Sequence, residues 1–416
     1  MIKNIVEEET ADADKKNAEE WYRKGRSLER IEQYEEALAA YEQALLLNNN
    51  HVDALFSKGF VLRKLNRYED SLTAFTSASI LTPNNPRIWY YIGRNHVEAN
   101  RPKDALAAFD TGLKLAPQDN DLWWGKADAL ARMRHFNEAL TSFDKALELK
   151  HNDDMSWNDR GEVLSLLHRY EEALVSYEMA IQLDEEYPLY WHNKGLTLSA
   201  LGNFSSALDA HEKATNLDAD YAAAWHAKGV ALYKLDRFDE ALTAYDIAIN
   251  IDPDVAITWT KKGDALKELD RDDEALQAYD IALNLNPSDP GTWYSKGVIL
   301  AMRRQNDEAL LALEKALQIN SKSPHAWNNF GAALNSLSRP EEALAALDMA
   351  LSLDPELIPA KHNRAGALKQ LGRLDEALAV CNSVLELFPD FEPTSKRRQE
   401  ILEIMNRKMN LDKTIN

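Results

Sequence analysis

Residues 222–255 read AAAWHAKGVALYKLDRFDEALTAYDIAINIDPDV, and residues 256–289 read AITWTKKGDALKELDRDDEALQAYDIALNLNPSD. The two stretches are of equal length and overlay without a gap: Trp225 on Trp259, Gly229 on Gly263, Leu232 on Leu266, Ala241 on Ala275, Tyr245 on Tyr279 and Pro253 on Pro287. The register extends outward in both directions. Trp89, Trp123, Trp157, Trp191, Trp225, Trp259, Trp293 and Trp327 follow one another at steps of 34 residues, and Trp21 stands two steps before Trp89, with Leu55 in the gap. The frame covers residues 18–391 as eleven units with no insertion or deletion. A length of 416 residues suggests two or three compact domains; the unbroken period replaces that reading with one array of repeats.

Numbering each unit 1–34 puts the Trp at position 4. Position 8 is Gly nine times and Ala twice (Ala127, Ala365); position 11 is Leu in all but His96; position 20 is Ala in all but Ser71; position 21 is always Leu. Positions 4, 8 and 11 share one stripe of a first helix, and 20, 24 and 27 one stripe of a second. Small residues at 8 and 20 let the two helices approach, and large residues at 4, 11 and 24 fill the surrounding space. Pro at position 32 in six repeats, and at position 1 in Pro86, Pro188, Pro290 and Pro324, ends one hairpin and starts the next. A hairpin with an apolar face it cannot bury alone stacks on its neighbours.

Trp225, Gly229, Leu232, Ala241, Tyr245, Ala248 and Pro253 resemble the tetratricopeptide-repeat signature of W, L-G, Y, A, F and P. The resemblance spans about nine-tenths of the chain. It departs at position 11, Leu rather than Tyr, and at position 7, which is basic in nine repeats: Lys24, Lys58, Lys126, Arg160, Lys194, Lys228, Lys262, Lys296 and Arg364. The resemblance implies an all-α fold: a right-handed α-solenoid superhelix of eleven helix-turn-helix repeats, winding more than one turn, with first helices lining a concave groove. Residues 1–17 are polar and read as a flexible tail. Residues 392–416 contain Lys396, Arg397, Arg398, Ile401, Leu402, Ile404 and Met405, which read as a capping helix and tail, with a separate basic docking helix as the alternative.

The chain carries 48 Lys+Arg against 68 Asp+Glu, a net charge of −20. That balance argues against nucleic acid or an anionic membrane as partner. Eighteen acids sit at positions 18 and 19, among them Glu35, Glu36, Asp239, Glu240, Asp375 and Glu376. They open the second helices, where unpaired N–H groups and the dipole favour anions, so most of the net charge has a structural origin. Position 25 is acidic in nine repeats. Set against position 7 of the following repeat it gives eight complementary pairs: Glu42–Lys58, Asp110–Lys126, Asp144–Arg160, Glu178–Lys194, Glu212–Lys228, Asp246–Lys262, Asp280–Lys296 and Asp348–Arg364. We expect a ladder of ion pairs that fixes stacking register. One junction lacks both charges (Thr76, Ile92) and lies near Leu55 and His96, which makes repeats 2 and 3 the expected soft point.

The resemblance places positions 2, 5, 6, 9, 12 and 13 in the groove. Position 5 divides the chain: Tyr22, Phe56, Tyr90 and Trp124 form an aromatic stripe in repeats 1–4, followed by Asn158, His192, His226, Thr260, Tyr294, Asn328 and His362. Position 6 adds Asn193, Asn329 and Asn363, and position 12 adds Asn335. With the core already filled at 4, 11 and 24, the stripe suits partner recognition, because such rings give large contact area at low entropy cost; the competing reading is packing on neighbouring repeats. The Asn set suits the backbone of an extended peptide, since each amide donates and accepts; solvated polar side chains are the equal alternative. Groove positions of repeats 1–4, including Arg63 and Arg94, are slightly basic, which favours an acidic or aromatic-containing peptide there. The chaperone-carboxylate pattern of some relatives matches no three consecutive repeats.

No P-loop, G-x-S-x-G, H-E-x-x-H or G-x-G-x-x-G occurs. His192 and His226 share a position in adjacent repeats but have no evident third ligand, so no metal is expected. His96 is expected to be a hydrogen-bonded core residue, and the single Cys381 a buried, inert thiol. No signal-peptide-like or membrane-spanning run is present. The sequence therefore predicts a non-catalytic cytoplasmic scaffold for a protein or peptide partner, with no cofactor; self-assembly, or a targeting subunit of an enzyme complex, are the alternatives.

Overall fold

The computed structural model describes the backbone of residues 2–415 and the side chains of residues 15–408. The described residues are helical and contain no strand. From the second repeat on, each unit is a 13-residue first helix over positions 1–13 and a 14-residue second helix over 17–30, as in Ala222–Lys234 and Phe238–Ile251. The first repeat differs: its first helix runs Ile2–Arg30, so helix extends through the stretch 2–17 read as a tail, although the side chains of 1–14 lie outside the described residues. The chain divides into two units, Met1–Leu217 and Asp218–Asn416. Repeats 1–6 form the first; repeats 7–11 and the C-terminal helix Glu392–Ile415 form the second. Within each unit, helical hairpins pack in chain order as an α-solenoid.

Each hairpin turns at position 15, which has positive φ in all eleven repeats. Only Gly202 and Gly372 are glycines; Glu32, Arg134, His168 and Arg304 take the same conformation. Backbone bonds impose it. The position-16 N–H reaches back to the position-11 carbonyl, as from Gln33 to Leu28 at 3.0 Å and from Arg169 to Leu164 at 2.9 Å, the six-residue closure that ends a helix. First helices start on side-chain caps where the sequence supplies one, as at Asn85, Asp119, Asp153, Asp289 and Ser323. The second helices Tyr34–Leu47, Tyr170–Leu183 and Phe238–Ile251 have no side-chain cap at position 16. Arg there instead clamps the position-19 Glu, as Arg169–Glu172 and Arg237–Glu240 at 2.6 Å. The arginine holds these exposed carboxyls below their usual range.

In repeats 1–3 and 5–8 the hairpin core is a glycine under a ring, whereas repeat 4 places Ala127 with Phe143 and repeats 9 and 10 set the glycine against Leu313 and Leu347. A Cβ on Gly25, Gly161, Gly229 or Gly263 would meet the ring of Tyr41, Tyr177, Tyr245 or Tyr279 at 2.5–2.7 Å. The small residue at 8 thus makes room first for the side chain at 24, and in repeats 9 and 10 also for the position-20 carbonyls of Ala309 and Ala343. In repeat 11 the ring shrinks to Cys381 and position 8 becomes Ala365; both are fully buried. Burial pushes the Cys381 thiol up, as befits an unreactive group. Positions 3 and 10 are also buried, through Ile88, Leu122, Tyr190, Val61, Val163 and Ile299.

The position-4 tryptophans are not wholly core: all are half-buried. In repeats 3–10 each indole Nε1–H donates to the position-32 carbonyl of the preceding loop at 2.8–3.0 Å, as Trp89 to Pro83 and Trp327 to Ser321. The position-7 cation lies over the same ring, as Lys126 on Trp123 at 5.4 Å and Lys262 on Trp259 at 5.3 Å. That cation also reaches the preceding repeat. Lys58–Glu42 (2.9 Å), Lys126–Asp110 (2.8 Å), Arg160–Asp144 (2.8 Å), Lys194–Glu178 (3.0 Å), Lys262–Asp246 (2.6 Å), Arg364–Asp348 (2.6 Å) and Lys296–Asp280 are formed. The ladder expected from the sequence is therefore present within both units; Glu212 and Lys228 belong to different units.

The C-terminal helix continues this register. Thr394 and Ile401 fall at positions 3 and 10 and are fully buried, and Arg398, at position 7, donates to Asn382 at 2.7 Å. It is a twelfth first helix. It covers the last hairpin, with Ile404 and Met405 packed beside Cys381 and Leu374.

Where the ladder lacks charges, at Thr76 and Ile92, other contacts appear. Ile92 is buried, Tyr91 stacks on Phe75 at 5.1 Å, and Asn95 joins Ser71 (2.9 Å) to Arg63 (2.8 Å). Ser71 in turn donates to the Gly59 carbonyl at 2.6 Å. Ser71 and Asn95, breaks in the repeat pattern, thus satisfy one another inside the core. His96 departs from expectation: its Nδ1 is buried without a hydrogen-bond partner, and burial lowers its pKa.

Candidate functional site

In the first unit the position-5 rings lean on the position-24 rings of their own hairpins. Tyr22 lies 5.9 Å from Tyr41, Phe56 lies 5.3 Å from Phe75, and Tyr90 lies 6.2 Å from Phe109. None is fully buried. Tyr22 also packs on His51 at 4.9 Å, Phe56 on Tyr91 at 5.4 Å and Tyr90 on Tyr91 at 5.2 Å, so the stripe is a partly buried wall that packs on neighbouring rings. Trp124 fixes its indole N–H on Asp159 at 2.8 Å, and the Arg94 guanidinium covers its face at 4.5 Å. Arg87 similarly covers Phe56 at 4.8 Å.

Between repeats 2 and 5 these residues bound a cavity of about 320 Å³. It gathers Arg63, Tyr90, Tyr91, Arg94, Asp121, Trp124, Asp153 and Met155, and so brings positions 2, 5, 6, 9 and 12 onto one surface. Arg94 bonds Glu98 at 3.5 Å through Nη2, while its Nη1 is buried without a partner. Burial, then the charge of Arg94, lowers the Arg63 pKa. Burial raises the Tyr90 hydroxyl. Asp159 beneath Trp124 is pushed up to about 6, chiefly by burial, with Glu162 and Asp128 adding to the rise and the bonds from Trp124 and Asn158 opposing it.

A second cavity of about 330 Å³ lies in repeats 5 and 6, lined by Glu162, Ser165, Leu166, Tyr170, Tyr177, Asn193, Leu196, Thr197 and Ala200. Asn158 is buried at its edge. Its Oδ1 accepts from Asn193 at 2.9 Å, and both amides donate to Glu162, at 3.2 and 2.8 Å. His192 is buried too, 5.4 Å from the His211 ring.

In the second unit the same positions bond to one another. Asn363 donates to Asn328 at 2.9 Å, Asn328 to Asn329 at 3.0 Å, and Asn329 to the Tyr294 hydroxyl at 3.2 Å. His226 Nδ1 pairs with Thr258 at 3.1 Å, Thr260 with Thr292 at 2.7 Å, and His362 Nδ1 with Thr394 at 2.8 Å. Burial lowers the His226 pKa, with Lys261 adding to it. Burial and Arg397 push that of His362 down to about 4. Asn335 donates to the Asn363 carbonyl at 2.9 Å. The amides read as a row for a peptide backbone thus spend donors within the chain. A spacing of 35 residues, from position 5 to position 6 of the next repeat, links Trp124–Asp159, Asn158–Asn193, Tyr294–Asn329 and Asn328–Asn363. That spacing was readable in the sequence, and the partnership it encodes was missed. His192 and His226 belong to different units.

These features define an all-α repeat scaffold built for protein interaction. A tetratricopeptide-repeat model matches residues 22–86, 90–149, 125–188, 260–324 and 304–358, and further tetratricopeptide-repeat models match 189–221, 222–255 and 334–394. The chain belongs to the tetratricopeptide-repeat family. No curated protein matches it in sequence. Among solved structures it is similar to YrrB, described as a TPR protein with an unusual peptide-binding site, at 24% identity over 46% of this chain and 98% of that one, TM-score 0.40. It is similar to the Cut9–Hcn1 hetero-tetramer of APC/C at 14% identity over 91% and 95%, TM-score 0.46. It is also similar to yeast Tom70 at 15% identity over 95% and 96%, TM-score 0.42. Among the described residues no helix is long and apolar enough to cross a membrane.

Proposed function

We propose that this protein is a non-catalytic cytoplasmic scaffold that holds a segment of a partner protein on the first-helix face of repeats 1–4, with Tyr22, Phe56, Tyr90 and Trp124 as principal contacts. The observation that carries the reading is the cavity lined by Tyr90, Tyr91 and Trp124, where three half-buried rings stand beside two arginines. Rings already braced by Tyr41, Phe75 and Phe109 lose little freedom on binding, which favours aromatic anchors. The Asn and His positions of later repeats, largely committed to internal bonds, contribute shape and the few acceptors left over.

Replacing Tyr22, Phe56, Tyr90 and Trp124 together by Ala tests the reading. Affinity capture with mass spectrometry from the native host is expected to lose the partners that the unaltered chain retains, while circular dichroism keeps its helical signal. Retention of the same partners by the quadruple variant refutes the assignment.

A further inference from the structure

Nine repeats carry Trp at position 4, whereas repeat 2 carries Leu55 and repeat 11 Lys361. In seven of the nine the position-7 cation lies over that indole, 4.6–5.8 Å from the ring centre. In repeat 2 the cation is Lys58, and its position-4 neighbour has no ring. Leu55 and Lys58 instead line a cavity of about 300 Å³ where the helices Tyr34–Leu47, Val52–Lys64 and Tyr68–Leu81 meet. Its apolar lining is Leu45, Leu55, Leu62 and Ala74. Its charges are already closed on one another, Lys58 on Glu42 at 2.9 Å and Arg67 on Asp70 at 2.8 Å. The hydroxyls of Thr73 and Ser77 donate to the carbonyls of Glu69 and Thr73, at 3.1 and 2.9 Å. Such a lining favours a neutral group over an ion. The pair with Glu42 still leaves Lys58 able to cover a ring, because Lys126 holds Asp110 at 2.8 Å while lying over Trp123 at 5.4 Å.

A second departure from the repeat falls at the same place. Position 29 is polar in repeats 3–11, from Lys114 to Glu386, but is Leu46 in repeat 1 and Ile80 in repeat 2. These two side chains stand 76% and 75% exposed. Leu46 lies one turn beyond Glu42, and Ile80 one turn beyond Ser77, each on the stripe of its helix that lines the cavity. Both therefore bracket the end of the cavity nearest Leu55. The missing indole and the two added apolar side chains together make one exposed apolar patch with a ring-sized recess, the mark of an interaction surface.

We propose that the second-helix side of repeats 1 and 2 is a separate docking site for a partner polypeptide that presents a tryptophan. The partner's indole enters the cavity beside Leu55 and under Lys58, as the chain's own indoles lie under position 7 in seven other repeats. The apolar residues flanking that tryptophan in the partner cover Leu46 and Ile80. The volume is at the small end for a ligand pocket and takes one such side chain, and a large ring is a favoured anchor. The cavity shares no residue with the stripe of Tyr22, Phe56, Tyr90 and Trp124, so it stands or falls independently of the reading above.

The test uses the full chain with three probes: Ac-Ala-Leu-Trp-Leu-Ala-NH2, the same peptide with Ala in place of Trp, and Ac-Trp-NH2. Binding is read from the methyl resonances of Leu55, assigned with Leu55→Ile, and of Leu62. The Trp peptide is expected to shift them saturably at concentrations where the Ala peptide does not, and Ac-Trp-NH2 to bind at least tenfold more weakly than the Trp peptide. Leu55→Trp fills the recess from within and is expected to weaken the Trp peptide at least tenfold, with a melting temperature no lower than that of the unaltered chain. Lys58→Met is expected to weaken it roughly two- to fivefold. Leu46→Asn with Ile80→Asn copies position 29 of repeats 7 and 8 and is expected to reduce the peptide to the affinity of Ac-Trp-NH2; this surface pair carries the test if Leu55→Trp does not fold. No shift with the Trp peptide, an equal shift with the Ala peptide, or undiminished binding to Leu55→Trp or to the Leu46→Asn, Ile80→Asn pair overturns the proposal. Equal affinity for Ac-Trp-NH2 and the Trp peptide overturns it as well, because the site would then take a free small aromatic molecule rather than a polypeptide.

Discussion

The hairpin core makes a quantitative prediction at Gly229. A Cβ there would lie 2.5 Å from Cε1 and 2.7 Å from Cδ1 of Tyr245, against an ordinary contact of 3.4–4 Å. Tyr245 is fully buried, its hydroxyl has no partner, and the ring must shift for Ala to fit. Overpacking of this kind costs about 1–3 kcal/mol. Exchanging Gly for Ala inside a helix returns about 1 kcal/mol of backbone propensity. Gly229→Ala is therefore expected to destabilise repeat 7 by up to roughly 2 kcal/mol. In a Tyr245→Cys background, which copies the natural Ala365–Cys381 pair, the clash is gone and the same substitution is expected to stabilise by about 1 kcal/mol. The coupling is then the clash itself, about 1–3 kcal/mol. Repeat arrays do not unfold in two states, so the assay is native-state hydrogen exchange at the amides of Leu232 and Ala248. A Gly229→Ala effect of the same sign and size in both backgrounds refutes the glycine-under-ring account.

Other predictions concern the turns, the ladder and Asp159. Arg134 holds φ at 63°; Arg134→Gly is expected to gain about 0.5–1 kcal/mol in thermal melts, and a loss contradicts the turn assignment. Lys262 pairs with Asp246 at 2.6 Å and covers Trp259. Lys262→Met is expected to cost at most about 1 kcal/mol, a difference that shrinks with added salt. The Asp159 carboxyl is raised from 3.8 to about 6 in the folded chain, so the folded state holds the extra proton in that window. Its stabilising contribution is complete below pH 3.8 and is lost as pH rises through about 6. Asp159→Asn is accordingly expected to match the wild type near pH 4 and to exceed it by about 1–2 kcal/mol at pH 7. This is less than the roughly 3 kcal/mol of a two-unit shift, because the new amide opposes the Asn158 donor. Equal stability of the two proteins at both pH values contradicts the burial account.

The period carried most of the fold. Trp at 4, Gly at 8, Ala at 20 and Pro at 32 located every hairpin, and pairing position 25 with position 7 of the next repeat anticipated the ion pairs. The turn escaped notice because positive φ at position 15 is imposed by the backbone closure onto position 11, and Glu32, Arg134 and Arg304 carry no signature of it. Trp looked like core because it is large; its indole N–H needs an acceptor, and the loop carbonyl at position 32 draws it to the rim. At the candidate site the aromatic stripe was legible from position 5. The fate of Asn158 and Asn328 was not, because burial depends on how successive first helices approach, and their partners lie 35 residues away. The unpartnered Nη1 of Arg94 is likewise a matter of three-dimensional placement, since Glu98 stands at a spacing that would ordinarily neutralise it.

The central claim is that partners dock on the first-helix face of repeats 1–4. It is tested most directly by placing a photo-crosslinking phenylalanine analogue singly at Tyr90 or at Val175, the latter an exposed side chain on the second helix of repeat 5, in the full chain inside its host. The account predicts a discrete covalent adduct to a partner polypeptide from position 90 and none from position 175. Adducts from position 175 with none from position 90 would contradict it.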